Sequence, residues 1–229
     1  MEKNNLNEPR AKYTPGEEVA NYTSHIIGGI LSIVVCCIFL NKGYSNGSAL
    51  AIMSLWLYMF GLVFSYATSS IYHAFPATRT RAKALIRKLD HTAIYWHIAG
   101  CYSPITFIAL LNGGATVWAW SIFAFVWLCA IVGTGISFRK MSAHSYIETA
   151  CYVLMGLTIM VAFKPFYDCV GWSVVGWVIA EGVLHIGSYT IQHTQSTLYA
   201  HRVSHFYYPR RHFPHGGCVE DYRNILIAE

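Results

Sequence analysis

Six long apolar runs restrict what this 229-residue sequence can fold into more than any other feature. A helix needs about 20 predominantly apolar residues to cross about 30 Å of hydrocarbon, and each run has that length and a low charge. The runs cover residues 20–40, 49–75, 91–111, 115–138, 145–163 and 171–190. The sequence therefore predicts an all-α, multi-pass transmembrane helix bundle with six clear spans.

The composition favours the same class of protein. Hydrophobic residues make up 55% of the chain and charged residues only 12%, about half the share typical of soluble domains. Residues 1–19 are polar and carry both charge signs, which is atypical of a cleavable signal peptide. We therefore expect a retained N-terminal segment (1–19), a bundle of six spans (20–190) and no soluble domain.

The distribution of lysine and arginine predicts the orientation in the cell membrane. Basic residues near the ends of spans stay on the cytoplasmic side. If the N-terminus is cytoplasmic, ten of the twelve lysine and arginine residues before residue 200 lie on that side. Lys42 and Lys164 fall on the other side. The net charge of +5 is thereby explained by topology, and it predicts membrane lipids as partners rather than nucleic acid.

Polar residues stand where the second span ends and the third begins. Ser69 and His73 are four residues apart and share a helix face, and Asp90 precedes the third span. A basic loop of about a dozen residues is expected to join the two spans at the cytoplasmic side. We therefore expect His73 and Asp90 to lie at one depth, where each reduces the desolvation cost of the other.

A metal site needs more ligands than His73, and the C-terminal segment offers two. His201 and His205 are also four residues apart, the spacing of helical zinc motifs. Together the three histidines would leave a fourth position for water, the arrangement of a catalytic zinc site. Asp90 would then orient or deprotonate that water.

Simpler interpretations exist for each of these residues. His73 is also explained as a snorkelling side chain at the membrane surface, and Asp90 as an N-terminal cap of the third helix. His97 is interpreted as a packing or interface residue. Glu181 and His185, four residues apart in the sixth span, are a functional candidate, because a carboxylate inside a membrane usually has a role. The favoured interpretation is a hydrogen-bonded pair that nothing else polar joins.

Two packing features are expected in the third span. Pro104 should disturb the helix, because proline removes a backbone donor and its ring clashes with the preceding turn. The small residues Ala99 and Gly100 should allow a neighbouring helix to approach closely.

The stretches "EEVANYTSHIIGG", "SSIYHAF" and "KLDHTAIYWHIAGCYSPI" closely resemble the bacterial hemolysin III family. That family is the microbial branch of the progestin and adipoQ (adiponectin) receptor superfamily, and the similarity covers about residues 16–190. The resemblance implies seven helices with a cytoplasmic N-terminus. It also implies zinc held by His73 and by a His-x-x-x-His in the seventh span, with Asp90 approaching through water and Ser69 matching the family's serine.

The resemblance implies more than one function. Animal relatives resemble lipid amidases that act on ceramide, which predicts a zinc-dependent, hydrolase-type site at the cytoplasmic face. Bacterial members are named for haemolytic or pore-forming behaviour, so a cytolytic protein is the alternative. A receptor-like bundle with structural metal and no catalysis is also compatible with the fold, and whether the chain is an enzyme stays open.

The C-terminal segment departs from the family pattern. Residues 191–229 contain no run long enough to span, and "YYPRRHFPHGG" interrupts helical periodicity with proline and glycine. The expected seventh span is therefore degenerate.

We hypothesise that this segment is translated out of frame from a point after about residue 185. The nucleotide sequence tests the hypothesis, since a single-base shift should restore an apolar span of about 20 residues. If neither alternative frame encodes such a span, the hypothesis is wrong.

Overall fold

The structure, a computed structural model, describes residues 15–76, 79–140 and 146–194, and these residues contain helices and no strand. This confirms the all-α class. A π-helical segment, Ile105–Leu110, continues the third helix, and a 3-10 segment, Thr158–Ala162, separates the fifth from the sixth. The α-helices are α1 Pro15–Asn46, α2 Ala49–Ala74, α3 Thr80–Pro104, α4 Thr116–Lys140, α5 Tyr146–Gly156 and α6 Phe163–Thr194.

Five stretches within the described residues are long and apolar enough to cross a membrane. Their outer faces carry large apolar side chains, among them Ile30, Leu128 and Val161, which are 58%, 60% and 74% exposed. Soluble proteins rarely show apolar surface on this scale, so the chain is a multi-pass membrane protein. The five stretches are Glu18–Ser45, Ala49–Ala74, Arg81–Leu110, Thr116–Phe138 and Glu148–Val183.

The last of these stretches overlaps both of the spans predicted at 145–163 and 171–190. Its 36 residues would extend about 54 Å as one straight helix, far more than the hydrocarbon thickness. Gly171 interrupts the helix with φ 70° and ψ −178°, a conformation that glycine adopts readily. The described residues therefore contain five helical stretches that are long and apolar enough to span, and a separate sixth span stays a prediction.

α3 begins earlier than the apolar run predicted. The span was expected to start at residue 91 after a loop of about a dozen residues, but the helix starts at Thr80. The basic residues between Thr80 and residue 91 therefore lie on a helix rather than in a loop. Alanine, leucine, lysine and arginine are good helix formers, so the helix extends past the end of its apolar part.

α3 is the most buried of the five membrane-crossing stretches. Of its apolar window 72% is buried, against 22–44% for the other four. On the side of α2, Gly61 and Gly100 face each other: a Cβ on Gly61 would lie 2.6 Å from the Trp96 carbonyl oxygen, and one on Gly100 would lie 2.9 Å from that of Leu57. The close approach expected at Gly100 is confirmed.

Hydrogen bonds hold α3 on its other sides. Trp96 Nε1 donates to Thr134 Oγ1 on α4 at 3.0 Å. The Tyr102 hydroxyl donates to the Gly156 carbonyl at 2.7 Å, where α5 ends, and accepts from the Ile159 amide at 3.1 Å. These are backbone groups at a break in the helix, which would be costly to leave unpaired in hydrocarbon. After Pro104 the α-helix gives way to the π-helical segment, as the proline predicts.

We predict that Gly61→Ala lowers thermal stability in detergent, because the new methyl group would force α2 and α3 apart. The matched control is Gly135→Ala on α4, where a Cβ would meet nothing within 4 Å. There alanine should be neutral or stabilising by up to about 1 kcal/mol, because alanine favours helix. Melting temperatures of the two variants check this, and equal values would contradict the close-packing account.

Candidate functional site

His73 lies in the last turn of α2 and points into the bundle. Its ring Nδ1 is 2.7 Å from Glu18 Oε2 of α1, and the Asn21 amide nitrogen approaches the same atom at 3.4 Å. The carboxylate is the closer and stronger partner, which assigns the Nδ1 proton to the bond with Glu18 in the neutral ring. In that tautomer Nε2 is the acceptor nitrogen of the ring, the one with the chemistry to bind a metal.

Glu18 also joins three helices at this end of the bundle. Its second carboxylate oxygen is 3.1 Å from Nζ of Lys83, near the start of α3. The same ammonium donates to the Phe75 carbonyl at 3.0 Å and lies 5.2 Å from the centre of the Tyr72 ring. The carboxylate therefore connects the beginning of α1, the end of α2 and the beginning of α3.

One face of α1 covers His73. Glu18, Asn21 and His25 follow a spacing of three and four residues, which aligns them along a helix. The His25 ring stacks on His73 with centroids 5.8 Å apart and planes 8° apart, and it also lies 6.0 Å from the Tyr66 ring. His73 is consequently enclosed by side chains from α1 and α2.

Asp90 lies on α3 opposite Ser69 of α2. The Ser69 hydroxyl donates to Asp90 Oδ1, and the other carboxylate oxygen, Oδ2, is 3.8 Å from Nδ1 of His91. Ser69 precedes His73 by one helical turn. The serine therefore links the aspartate to the end of α2 that carries the histidine.

The structure overturns two of the simpler interpretations. Asp90 cannot cap α3, because the helix begins at Thr80, ten residues before it. His73 is not a snorkelling side chain, since it is only 8% exposed and contacts the partly buried carboxylate of Glu18. His201 and His205, the two further zinc ligands expected from the sequence, lie outside the described residues, as does the rest of the segment after Thr194.

A second polar group lies deeper in the bundle. The ligand atoms of His97, Cys101 and Glu181 all lie within 4.8 Å of one another, and together they could hold a metal ion. His97 and Cys101 are one turn apart on α3, and Glu181 comes from α6. The expectation that nothing else polar joins Glu181 in the sixth span is therefore wrong; the side chain of His185 lies outside what is described.

Sequence reasoning missed the roles of Glu18 and of the deeper group. Glu18 stands two residues before the first apolar run, and its reach to His73 depends on how α1 packs on α2. The spacing of Glu18, Asn21 and His25 along one face was the available signal. For the deeper group the signal was the four-residue spacing of His97 and Cys101, but nothing local indicated that α6 brings a carboxylate to them.

Comparisons with known proteins agree with this architecture. The family model described as "Haemolysin-III related" matches residues 13–207. "Hemolysin-3" of Bacillus cereus is 33% identical over 171 residues, which is 74% of each chain. "Hemolysin-3 homolog" of Bacillus subtilis (strain 168) is 27% identical over 173 residues, or 76% of this chain and 78% of the relative. A family match over most of the chain, with helices that suit it, confirms the resemblance: the chain belongs to the haemolysin III family.

Proposed function

We propose that this chain is a zinc-dependent hydrolase that cleaves lipid amides at the cytoplasmic face of the cell membrane. The observation that carries the proposal is the contact between Glu18 and His73. Histidines that bind a metal commonly donate their other ring N–H to a carboxylate, which fixes the ring and makes it a better ligand. The chemistry and orientation of His73 therefore fit a zinc ligand.

In this proposal His73, His201 and His205 are the zinc ligands, and zinc would lower the pKa of a bound water to about 7 and polarise a carbonyl. Asp90 is the general base. The hydrogen bond from Ser69 engages one of its oxygens, Oδ1, so Oδ2 would be the oxygen that accepts a proton from the water. In a later step the same carboxyl group would return that proton to the leaving amine.

The location of these residues favours an amphiphilic substrate. Glu18, His73 and Lys83 lie at the ends of apolar helices, where acyl chains adjoin the membrane surface. A lipid amide would keep its tails against those helices while its amide group reaches the polar residues.

We predict that Asp90→Asn lowers hydrolysis of a fluorescent N-acyl sphingoid lipid by roughly 10²–10⁴-fold while zinc stays bound, because only the base is lost. The assay uses purified full-length protein in nanodiscs. Asp168→Asn, which removes an exposed carboxylate paired with Lys164, is the matched control and should retain full activity.

Zinc content, measured on the same samples, distinguishes binding from catalysis. His73→Ala should lose zinc, and Glu18→Gln should weaken zinc binding by roughly 10–100-fold because His73 loses its orienting partner. Equal zinc in wild type and His73→Ala would contradict the site. Absence of hydrolysis in a zinc-loaded wild type would contradict the activity.

A second candidate function is membrane permeabilisation, because both relatives carry the name hemolysin. It predicts that the purified protein releases a trapped dye from phosphatidylglycerol and phosphatidylethanolamine liposomes in proportion to its concentration. A zinc chelator should leave the release unchanged, since a pore needs no activated water. Intact liposomes at every protein concentration would contradict this candidate.

A further inference from the structure

We propose that His97, Cys101 and Glu181 form a second metal site inside the bundle, for a divalent transition-metal ion such as Zn²⁺. It is separate from the site proposed around His73. Along α3, His97 and Cys101 lie seven and eleven residues beyond Asp90, which corresponds to about 10 and 16 Å deeper in the bundle. The third ligand comes from α6, and no described residue of α6 belongs to the site proposed around His73.

The energetics of the membrane interior favour an ion here. A carboxylate is costly to bury in hydrocarbon unless an opposite charge lies beside it, and a divalent ion bound by this group would supply that charge. When a divalent ion binds, Cys101 would release its proton and coordinate as a thiolate. One thiolate, one carboxylate and a doubly charged ion then form a unit with no net charge, which minimises the desolvation cost.

The donor atoms narrow the choice of metal. Calcium and magnesium prefer six or more oxygen ligands, whereas this group offers one nitrogen, one sulfur and one oxygen. Such a mixed set suits Zn²⁺ and Co²⁺ in a tetrahedral arrangement, with the fourth position open to water. With metal–ligand bonds of 2.0–2.3 Å, the donor atoms would have to lie roughly 1 Å closer to one another than their present limit of 4.8 Å. Rotation of the side chains can supply this movement.

The helix that carries two of the ligands is held on three sides. Gly100, next to Cys101, packs against α2 so closely that a Cβ there would meet the Leu57 carbonyl. Tyr102, on the other side of Cys101, is fixed by its bond to Gly156. Trp96, next to His97, is fixed by its bond to Thr134. A site built on so rigid a segment loses little conformational entropy when an ion binds.

Cobalt titration of the purified full-length protein tests the proposal, because Co²⁺ bound by a thiolate gives a near-ultraviolet charge-transfer band. We expect the band in wild type and its loss in Cys101→Ser. His97→Ala and Glu181→Gln should weaken Co²⁺ binding by roughly tenfold or more. Loss of only the hydrogen-bonding partner of a ligand typically has an effect of this size, so loss of the ligand itself should have at least the same effect. Added Zn²⁺ should bleach the band by displacing Co²⁺.

Two controls keep the result specific. Cys129→Ser, which removes a partly buried cysteine of α4, should retain the band. His73→Ala should also retain it, which separates this site from the proposed hydrolase site. Melting temperature provides a second readout in the His73→Ala background, where the proposed hydrolase site is disabled: Co²⁺ should raise it while Cys101 is intact, but not once Cys101→Ser is added.

The proposal fails if wild type shows no thiolate band, or if Cys101→Ser and wild type bind Co²⁺ equally. In that case the three side chains form a metal-free hydrogen-bonded group. Hydrolysis and the zinc content that depends on His73 would be unaffected by this outcome. Conversely, loss of hydrolysis with an intact Co²⁺ band would contradict only the hydrolase.

Discussion

The desolvation of polar side chains is the constraint on which the rest of this structure depends. Hydrocarbon offers no water, so a polar group carried into the bundle must find a partner in another helix or in backbone. Serines such as Ser54 and Ser103 bond to the backbone of their own helix, whereas other polar groups join different helices: Glu18 of α1 meets His73 of α2, and Asp90 of α3 accepts from Ser69 of α2. The hydrogen bonds that connect the helices therefore also bring together the residues to which the proposed chemistry is assigned.

α3 organises these groups because it is the helix with the largest buried share. Lys83, Asp90 and His97 follow one another at intervals of seven residues, and Cys101 comes four residues later. Seven residues are almost two helical turns, so the four side chains form one stripe along α3. The outer part of the stripe contacts α1 and α2, and its inner part approaches α6. Close glycine contact with α2 and the bonds of Trp96 and Tyr102 hold the helix in this register.

Membership of the haemolysin III family establishes the architecture, whereas the chemistry rests on particular side chains. The same bundle could support a lytic, a receptor-like or a catalytic protein, because fold and function are only loosely connected. What distinguishes these functions is whether the polar groups can hold an ion and move a proton. The carboxylate on His73 and the hydroxyl on Asp90 are arrangements of the kind that catalysis uses.

The sequence by itself determined the fold class, the multi-pass membrane character and the position of Ser69 and His73 one turn apart near the end of α2. Apolar runs of spanning length and a four-residue spacing are local patterns, so they can be read directly from the chain. Only the tertiary structure decided that Glu18 bonds to His73, that Asp90 lies inside α3, and that Glu181 joins His97 and Cys101. Glu18 and His73 are 55 residues apart in the chain, so their contact depends on how whole helices pack, which no local pattern encodes.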